Sequence, residues 1–197
     1  MSVQLSFFTG DAQPPGIDAL EGLLAGPGQL VRRDRSARLS LVLADGWRAD
    51  AVQVAFEARG LAPERRDAAG ERSSARLVTV RTAFDDRLAV LAARWTRGAM
   101  KRPPTDLVLD GPRIRLWTVA AGEPTPGGYL LRLAGVDADG WGTCGGALAA
   151  AGLTGTLVGP RAGGPAVRIT GRRRLSRLRE SAGEPPPGGA AQWPAAG

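Results

Sequence analysis

Two aspartates separated by a single residue are candidate catalytic or metal-binding residues in this chain of 197 residues. Asp137 and Asp139 lie in the segment Leu-Ala-Gly-Val-Asp-Ala-Asp-Gly that ends at Gly140, and paired carboxylates can hold Mg²⁺ and activate water for phosphodiester hydrolysis. The chain has no histidine and a single cysteine, Cys144. Its composition therefore excludes Ser-His-Asp and Cys-His centres, histidine-ligated zinc and cysteine-rich metal sites.

Arginine dominates the charge of the chain. Lysine and arginine number 26 against 19 aspartates and glutamates, which gives a net charge of +7, and every basic residue except Lys101 is an arginine. Guanidinium groups make planar, two-point contacts with phosphates and with guanine edges, so nucleic acid is the leading partner class. GC-rich coding also favours arginine, alanine, glycine and proline, but it does not explain the excess of bases over acids.

Candidate nucleic-acid ligands lie on predicted strands and in two clusters. Strand residues at alternate positions point to one side of a sheet, where they can reach phosphates or base edges. A solvated outer sheet face is the alternative interpretation of the same pattern. The candidates are Arg38 and Ser40 on one strand, Arg76 on the next, Arg132 and Arg168 on strands of the second half, the cluster Arg32, Arg33 and Arg35, and the pair Arg172 and Arg173 at the start of the last helix.

Hydrophobic periodicity and glycine breaks place these residues on two similar series of elements. Spacing at three and four residues predicts helices, and strict alternation predicts strands. In the first half we expect helices over 17–25, 47–59 and 85–97, strands over 38–43 and 72–82, and room for a strand in 29–36. In the second half we expect helices over 113–121, 147–153 and 172–182, strands over 129–134, 155–158 and 166–170, room for a strand in 123–128, and a loop over 135–140.

The repeated order indicates an internal duplication of an α+β unit. We divide the chain into an N-terminal extension (1–13), a first repeat (14–100), a proline-rich linker (101–111), a second repeat (112–182) and a Pro/Gly-rich tail (183–197). No apolar run approaches the ~20 residues of a membrane span, so we expect no membrane partner. The N-terminus lacks the charged start and apolar core of a signal peptide, and a cytoplasmic location is the expectation.

Two nine-residue segments resemble the motif of the LAGLIDADG homing endonuclease family. The first is Leu-Glu-Gly-Leu-Leu-Ala-Gly-Pro-Gly, ending at Gly28, and the second is Ile-Arg-Leu-Trp-Thr-Val-Ala-Ala-Gly, ending at Gly122. Between them, the segment that begins at Lys101 resembles the Lys-x-x-Pro-x-x-Leu sequence that often precedes the second motif. The resemblance implies an α+β fold of two pseudo-symmetric αββαββα repeats, which form a saddle of antiparallel sheets over a DNA duplex. It also implies that the motif helices pack through Gly22, Ala25, Gly28, Trp117 and Gly122.

In that family each motif helix delivers an acid at its C-terminal end, and the acids hold Mg²⁺. Here the matching positions are Ala25 and Pro27 in the first motif and Ala120 and Ala121 in the second, none of which has a ligating side chain. The segment that contains Asp137 and Asp139 nearly repeats the family motif but is one residue short. Because one residue turns a helix by about 100°, we interpret it as a strand-to-helix turn; a rebuilt active site is the alternative.

We therefore expect a double-stranded DNA-binding protein without nuclease activity, which acts as a monomer and needs neither a cofactor nor an obligatory protein partner. The enzyme alternative is a Mg²⁺-dependent endonuclease that uses Asp137 and Asp139. A second alternative is a protein-interaction scaffold, which predicts no salt-dependent affinity for duplex DNA.

Overall fold

The computed structural model describes residues 15–68, 77–133 and 138–195, and it contains both predicted repeats. Each repeat has the order αββαββα, which confirms the predicted fold class. The first repeat comprises α1 (Glu21–Ala25), β1 (Gln29–Arg33), β2 (Ser36–Leu43), α2 (Gly46–Glu57), β3 (Pro63–Ala68), β4 (Leu77–Thr82) and α3 (Ala89–Trp95). A two-stranded connection, β5 (Thr96–Arg97) and β6 (Met100–Lys101), follows it. The second repeat comprises α4 (Gly111–Ala121), β7 (Gly122–Thr125), β8 (Gly128–Arg132), α5 (Ala138–Ala150), β9 (Thr156–Val158), β10 (Ala166–Thr170) and α6 (Arg172–Ala182).

The two repeats form antiparallel sheets with equivalent strand orders, β1-β2-β4-β3 and β7-β8-β10-β9. In each sheet one face is buried under helices and the other carries the polar residues. Leu39, Leu41 and Leu43 of β2 are buried, for example, whereas the residues between them are half-buried or exposed. This alternation is the reason that β2 could be predicted from the sequence.

Helices α1 and α4, which carry the two motif segments, pack together at the centre of the molecule. Gly22 permits their close approach, because a Cβ atom at this position would overlap the backbone carbonyl of Arg113. At the other end of the pair, a Cβ on Gly26 would lie 3.1 Å from the Cβ of Ala121. Trp117 of α4 is fully buried and donates a hydrogen bond from Nε1 to the carbonyl of Arg132 at 2.9 Å, which ties α4 to β8.

The other motif glycines also occupy tight positions. The amide of Gly28 donates to the carbonyl of Leu23 at 2.9 Å and closes the end of α1. A Cβ on Gly122 would lie 2.6 Å from the carbonyl oxygen of Thr118. Ala25 is fully buried. Of the residues expected to pack the motif helices, Gly22 therefore lies in the contact between α1 and α4, whereas Gly28 and Gly122 lie at the ends of these helices.

Helix α5 is longer than predicted from the sequence. The prediction of a loop over 135–140 is wrong for residues 138–140, which are helical. The helix begins at Ala138 rather than near residue 147, and it includes the glycine-rich stretch that follows Gly140. Gly140, Cys144, Ala147 and Leu148 are buried at helical spacing, so one packed face stabilises the helix despite the low helix propensity of glycine.

The C-terminal segment packs against the body in its described part instead of extending from it as a tail. Trp193 is buried and donates from Nε1 to the carbonyl of Gly183 at 2.7 Å. The hydroxyl of Tyr129 donates to the carbonyl of Gln192, also at 2.7 Å. Within the described ranges, every helix is too short or too polar to cross a membrane.

Candidate nucleic-acid interface

The uncovered face of the first sheet is rich in arginine. Cross-strand neighbours share a face, and the register places Ser40 opposite Arg81. We use the name first open face for Val31, Arg33, Arg38, Ser40, Val42, Glu64, Arg66, Thr79 and Arg81. Four arginines and one glutamate give this surface a positive charge, and the predicted common face of Arg38, Ser40 and Val42 is confirmed.

Phe84, which follows β4, holds two of these arginines. The guanidinium carbons of Arg33 and Arg38 lie 4.3 and 4.7 Å from the centre of its ring. Stacking of this kind reduces the motion of a guanidinium but leaves its N–H groups free to donate. The Nε atom of Arg38 is buried and has no hydrogen-bond partner among the described residues. Sequence reasoning missed Phe84, because only the sheet brings it next to β1 and β2.

Glu64 organises the other side of the first open face. Arg81 donates to Glu64 through Nε at 2.8 Å and through Nη2 at 2.6 Å. These bonds and the charges of Arg81, Arg66 and Arg38 hold the pKa of the Glu64 carboxyl below its usual value. Arg81 is thus fixed in one orientation on the sheet surface. Arg66 and Arg81 are not among the candidates predicted from the sequence.

The second sheet presents a smaller set of polar side chains on its uncovered face. Arg168 is exposed on β10 and pairs with Leu130, and Arg132 lies at the end of β8. Arg132 donates to Glu123 at 2.7 Å through Nε and to the carbonyl of Gly163 at 2.7 Å through Nη1. We use the name second open face for Glu123, Thr125, Leu130, Arg132, Thr156 and Arg168. The structure places Arg132 and Arg168 on this face together.

The remaining arginine candidates do not share one surface. Arg32 pairs with Ala37 and therefore lies on the covered side of β1, opposite to Arg33, while Arg35 is in the turn between β1 and β2. Arg172 and Arg173 belong to α6. This helix packs against α4 and does not lie on an open face. Arg76 lies outside the described residues.

The motif helices end at a cavity of about 560 Å³ lined by Pro27, Ala120 and Ala121. Two carboxylates, Asp45 and Glu123, also line this cavity. Each one is paired with an arginine, Asp45 with Arg48 at 3.0 Å and Glu123 with Arg132 at 2.6 Å.

This donor set does not fit Mg²⁺, which requires several oxygen ligands in octahedral geometry. The four motif positions supply no side-chain oxygen, and the two nearby carboxylates already have cationic partners. Across the described part of the chain, no cluster of three or more acidic, cysteine or histidine side chains could hold a metal ion.

A buried arginine caps the end of α4 at this cavity. Arg48 is only 7% exposed, and its guanidinium donates to the carbonyls of Thr118, Val119 and Gly122 and to the side chain of Gln192. The last carbonyls of a helix lack partners within the helix and carry partial negative charge, so a cation is favourable there. Arg48 comes from α2 of the first repeat and therefore joins the two repeats.

Lys101 caps the end of α1, as Arg48 caps the end of α4. Its Nζ donates to the carbonyls of Gly26 at 2.7 Å and Gly28 at 2.9 Å. Burial lowers the pKa of Lys101 to about 8, and burial raises the pKa of the nearby Cys144 thiol to about 12. Side-chain cations thus contact the carbonyls at both motif-helix ends.

The alternative catalytic residues do not join this cavity in the described structure. Asp139 lies at the start of α5, in a separate cavity with Arg94, Arg97 and Arg102. Its carboxylate is 85% exposed and pairs with Arg102 at 3.3 Å. Asp137 lies outside the described residues.

Two αββαββα repeats, joined through paired motif helices and each with one uncovered sheet face, define the LAGLIDADG-like fold. Solved structures share it. The homing endonuclease I-WcaI bound to its DNA recognition sequence matches with a TM-score of 0.67 and 12% identity, over 83% of this chain and 78% of that one. The N-terminal LAGLIDADG domain of DUF199/WhiA matches with a TM-score of 0.62 and 11% identity, over 88% and 85% of the two chains.

Full-length DUF199/WhiA from Thermatoga maritima matches with a TM-score of 0.61 and 11% identity. The match covers 84% of this chain and 54% of that one. No protein-family model and no curated protein matches the chain. At these identities the comparisons show the fold, and the site has to be argued from this chain's own residues.

Proposed function

We propose that this chain binds double-stranded DNA across its two open faces, as a monomer, and does not cut it. The main observation behind the proposal is the first open face, an uncovered sheet surface that carries four arginines and only one glutamate. The homing endonuclease of similar fold was solved bound to its DNA recognition sequence, which supports DNA as the partner proposed here. Both sheets come from one chain, so one copy supplies both faces.

The surface chemistry suits contacts with bases as well as with phosphates. Val31 and Val42 are 46% and 55% exposed among the arginines of the first open face, and Ser40 and Thr79 supply hydroxyls. Apolar groups contact thymine methyls in the major groove, and hydroxyls and guanidinium groups hydrogen-bond base edges.

The absence of cutting is proposed from the motif-helix ends. Positions that hold acids in the family are alanine and proline here, and Arg48 and Lys101 contact the carbonyls beside them. A supercoiled plasmid incubated with the protein and Mg²⁺ should therefore remain supercoiled. Mg²⁺-dependent nicking that disappears in Asp139→Ala would instead establish the endonuclease alternative.

The direct test of binding is fluorescence anisotropy of a labelled duplex, titrated over a series of salt concentrations. Affinity should fall steeply with salt, because arginines displace counterions from phosphates. The double substitution Arg33→Glu and Arg38→Glu should weaken binding by at least about tenfold and reduce the salt slope by about two. Charge-conserving lysines at the same positions should retain most of the affinity, and Arg97→Glu, an exposed arginine outside both open faces, is the matched surface control.

Two results would contradict the proposal. If the wild-type protein shows no salt-dependent affinity for duplex, the interaction-scaffold alternative is favoured. If the Arg33/Arg38 glutamate variant binds as tightly as Arg97→Glu, the first open face is not the DNA-binding surface.

A further inference from the structure

A second basic surface lies on the outer side of α6. We define the α6 surface by Arg172, Arg173, Arg174 and Arg177, which are all exposed and line an open cavity of about 790 Å³. One acid, Glu180, also lines it and accepts from Ser176. Four guanidinium groups within about two turns of one helix exceed what the single acid can neutralise.

The α6 surface points away from the open faces. Leu178 and Ala182 are the buried residues of α6, and this helix packs against α4 in the layer that covers the second sheet. Arg173 and Arg177 are one turn apart on the opposite side of the helix, because residues at this spacing share a helix face. A stretch of duplex that lies on the open faces therefore cannot also contact Arg173 and Arg177.

The loop after α5 positions two of these arginines. The guanidinium of Arg177 lies directly over Gly152, where a Cβ atom would be 2.8 Å from its Cζ and Nε atoms. Gly152 also has a φ of +77°, which favours glycine. Arg174 donates through Nη1 to the carbonyl of Thr154 at 3.1 Å. The surface is thus partly preorganised, which lowers the entropic cost of binding.

The other guanidinium groups have no protein partner in the described part of the chain. The side chains of Arg172 and Arg173 make no hydrogen bond or ion pair there, and neither does that of Arg177. Like charges this close repel one another, so a partner with closely spaced negative charges is favoured. Duplex DNA offers closely spaced negative charges, because each strand places one phosphate about every 3.4 Å along the helix axis.

We propose that the α6 surface binds the phosphate backbone of a second DNA segment, so that one molecule bridges two duplexes. The inference rests on the proposed function, because the open faces must hold the first duplex. Contacts to phosphates carry no sequence information, so we expect this binding to be independent of base sequence.

The experiment is a two-duplex capture assay with the full chain. A biotinylated duplex on beads is saturated with protein, washed, and offered a second, fluorescent duplex of unrelated sequence. The wild-type protein should retain the second duplex at low salt and release it as salt rises. Arg173→Glu with Arg177→Glu should reduce capture at least about tenfold, while the anisotropy titration with a single duplex changes less than about threefold. Arg173→Lys with Arg177→Lys is the matched control and should still capture.

The outcomes separate the two proposals. Normal single-duplex binding without capture by the wild-type protein would overturn the α6 inference and leave the proposed function intact. Equal capture by the glutamate variant would also overturn the inference, because bridging would then come from self-association or another surface. Failure of the wild-type protein to bind any duplex would overturn the proposed function and, with it, bridging.

Discussion

At the scale of single residues, one buried carboxylate links α1 to α3 within the first repeat and to α4 of the second repeat. Glu21 of α1 is 3% exposed and accepts hydrogen bonds from the side chains of Arg94, Trp95 and Arg113. A buried carboxylate is tolerated only when it is paired and hydrogen-bonded, as here. These partners are 73 to 92 residues away along the chain, so local sequence patterns could not reveal them.

Removal of the Glu21 carboxylate tests this view. Glu21→Ala should lower the free energy of unfolding by about 3–5 kcal/mol, because Arg113 and Trp95 lose a buried acceptor. Urea denaturation followed by circular dichroism measures the loss. Glu57→Ala, on the exposed side of α2, is the control and should change stability by less than about 0.5 kcal/mol. A loss below about 1 kcal/mol for Glu21→Ala would mean that the buried network contributes little.

Lys101 and Cys144 should give opposite pH dependences of stability. The pKa of Lys101 is about 8 in the folded protein and about 10.4 when unfolded, so the unfolded state binds more protons between these values and stability rises with pH. The pKa of Cys144 is about 12 when folded and about 8.5 when unfolded, so its contribution falls with pH.

Single substitutions separate these contributions. From about pH 8 to about pH 10, stability should rise by up to about 3 kcal/mol in Cys144→Ala, where Lys101 alone remains. It should fall in Lys101→Met, where Cys144 alone remains. Urea denaturation at both pH values gives the slopes, and the same slope in the two variants would refute the assignment.

At the scale of elements, the sequence predicts strands and helices well where apolar spacing and glycine breaks agree. The bounds of α6 and β10 match their predictions, and the expected strands in 29–36 and 123–128 are present as β1 and β7. Helix α5 was misjudged at its start because its glycines resemble a loop, although its buried face keeps helical spacing. Strand β4 shows why the site was predicted only in part: Thr79 and Arg81 occupy its polar face, whereas the candidate predicted from the sequence was Arg76.

Glycine has opposite roles in two helices, which matched substitutions can show. Gly22→Ala should lower the Tm, because the new Cβ would overlap the Arg113 carbonyl and lie 2.8 Å from its carbon, costing about 1–3 kcal/mol. Gly142→Ala, in α5, meets no atom within 4 Å and should raise the free energy of unfolding by about 0.5–1 kcal/mol. Thermal unfolding of both variants provides the comparison. Equal effects would contradict the close approach of α1 and α4.

At the scale of the whole molecule, the two repeats together line the central cavity at the ends of the motif helices. The αββαββα order could be predicted from periodicity and from the two motif segments. The two cationic caps could not, because Arg48 contacts carbonyls 70 to 74 residues away and Lys101 contacts a carbonyl 75 residues away. These cations contact the helix ends directly, so the lack of acidic side chains at Pro27, Ala120 and Ala121 is only one part of how this cavity differs from a metal site.

The introduction of acidic side chains at the motif-helix ends should therefore not be sufficient for nuclease activity. Pro27→Asp with Ala121→Asp places carboxylates at the two less buried motif positions, both of which line the central cavity. The new carboxylates should pair with Arg48 and with Lys101, whose charges disfavour a divalent cation in the same space. We expect no Mg²⁺-dependent nicking of supercoiled plasmid, while duplex affinity in anisotropy stays within about threefold of wild type. Nicking that requires Mg²⁺ would show instead that two carboxylates at these positions are sufficient for cleavage, and that the cationic caps are compatible with metal binding.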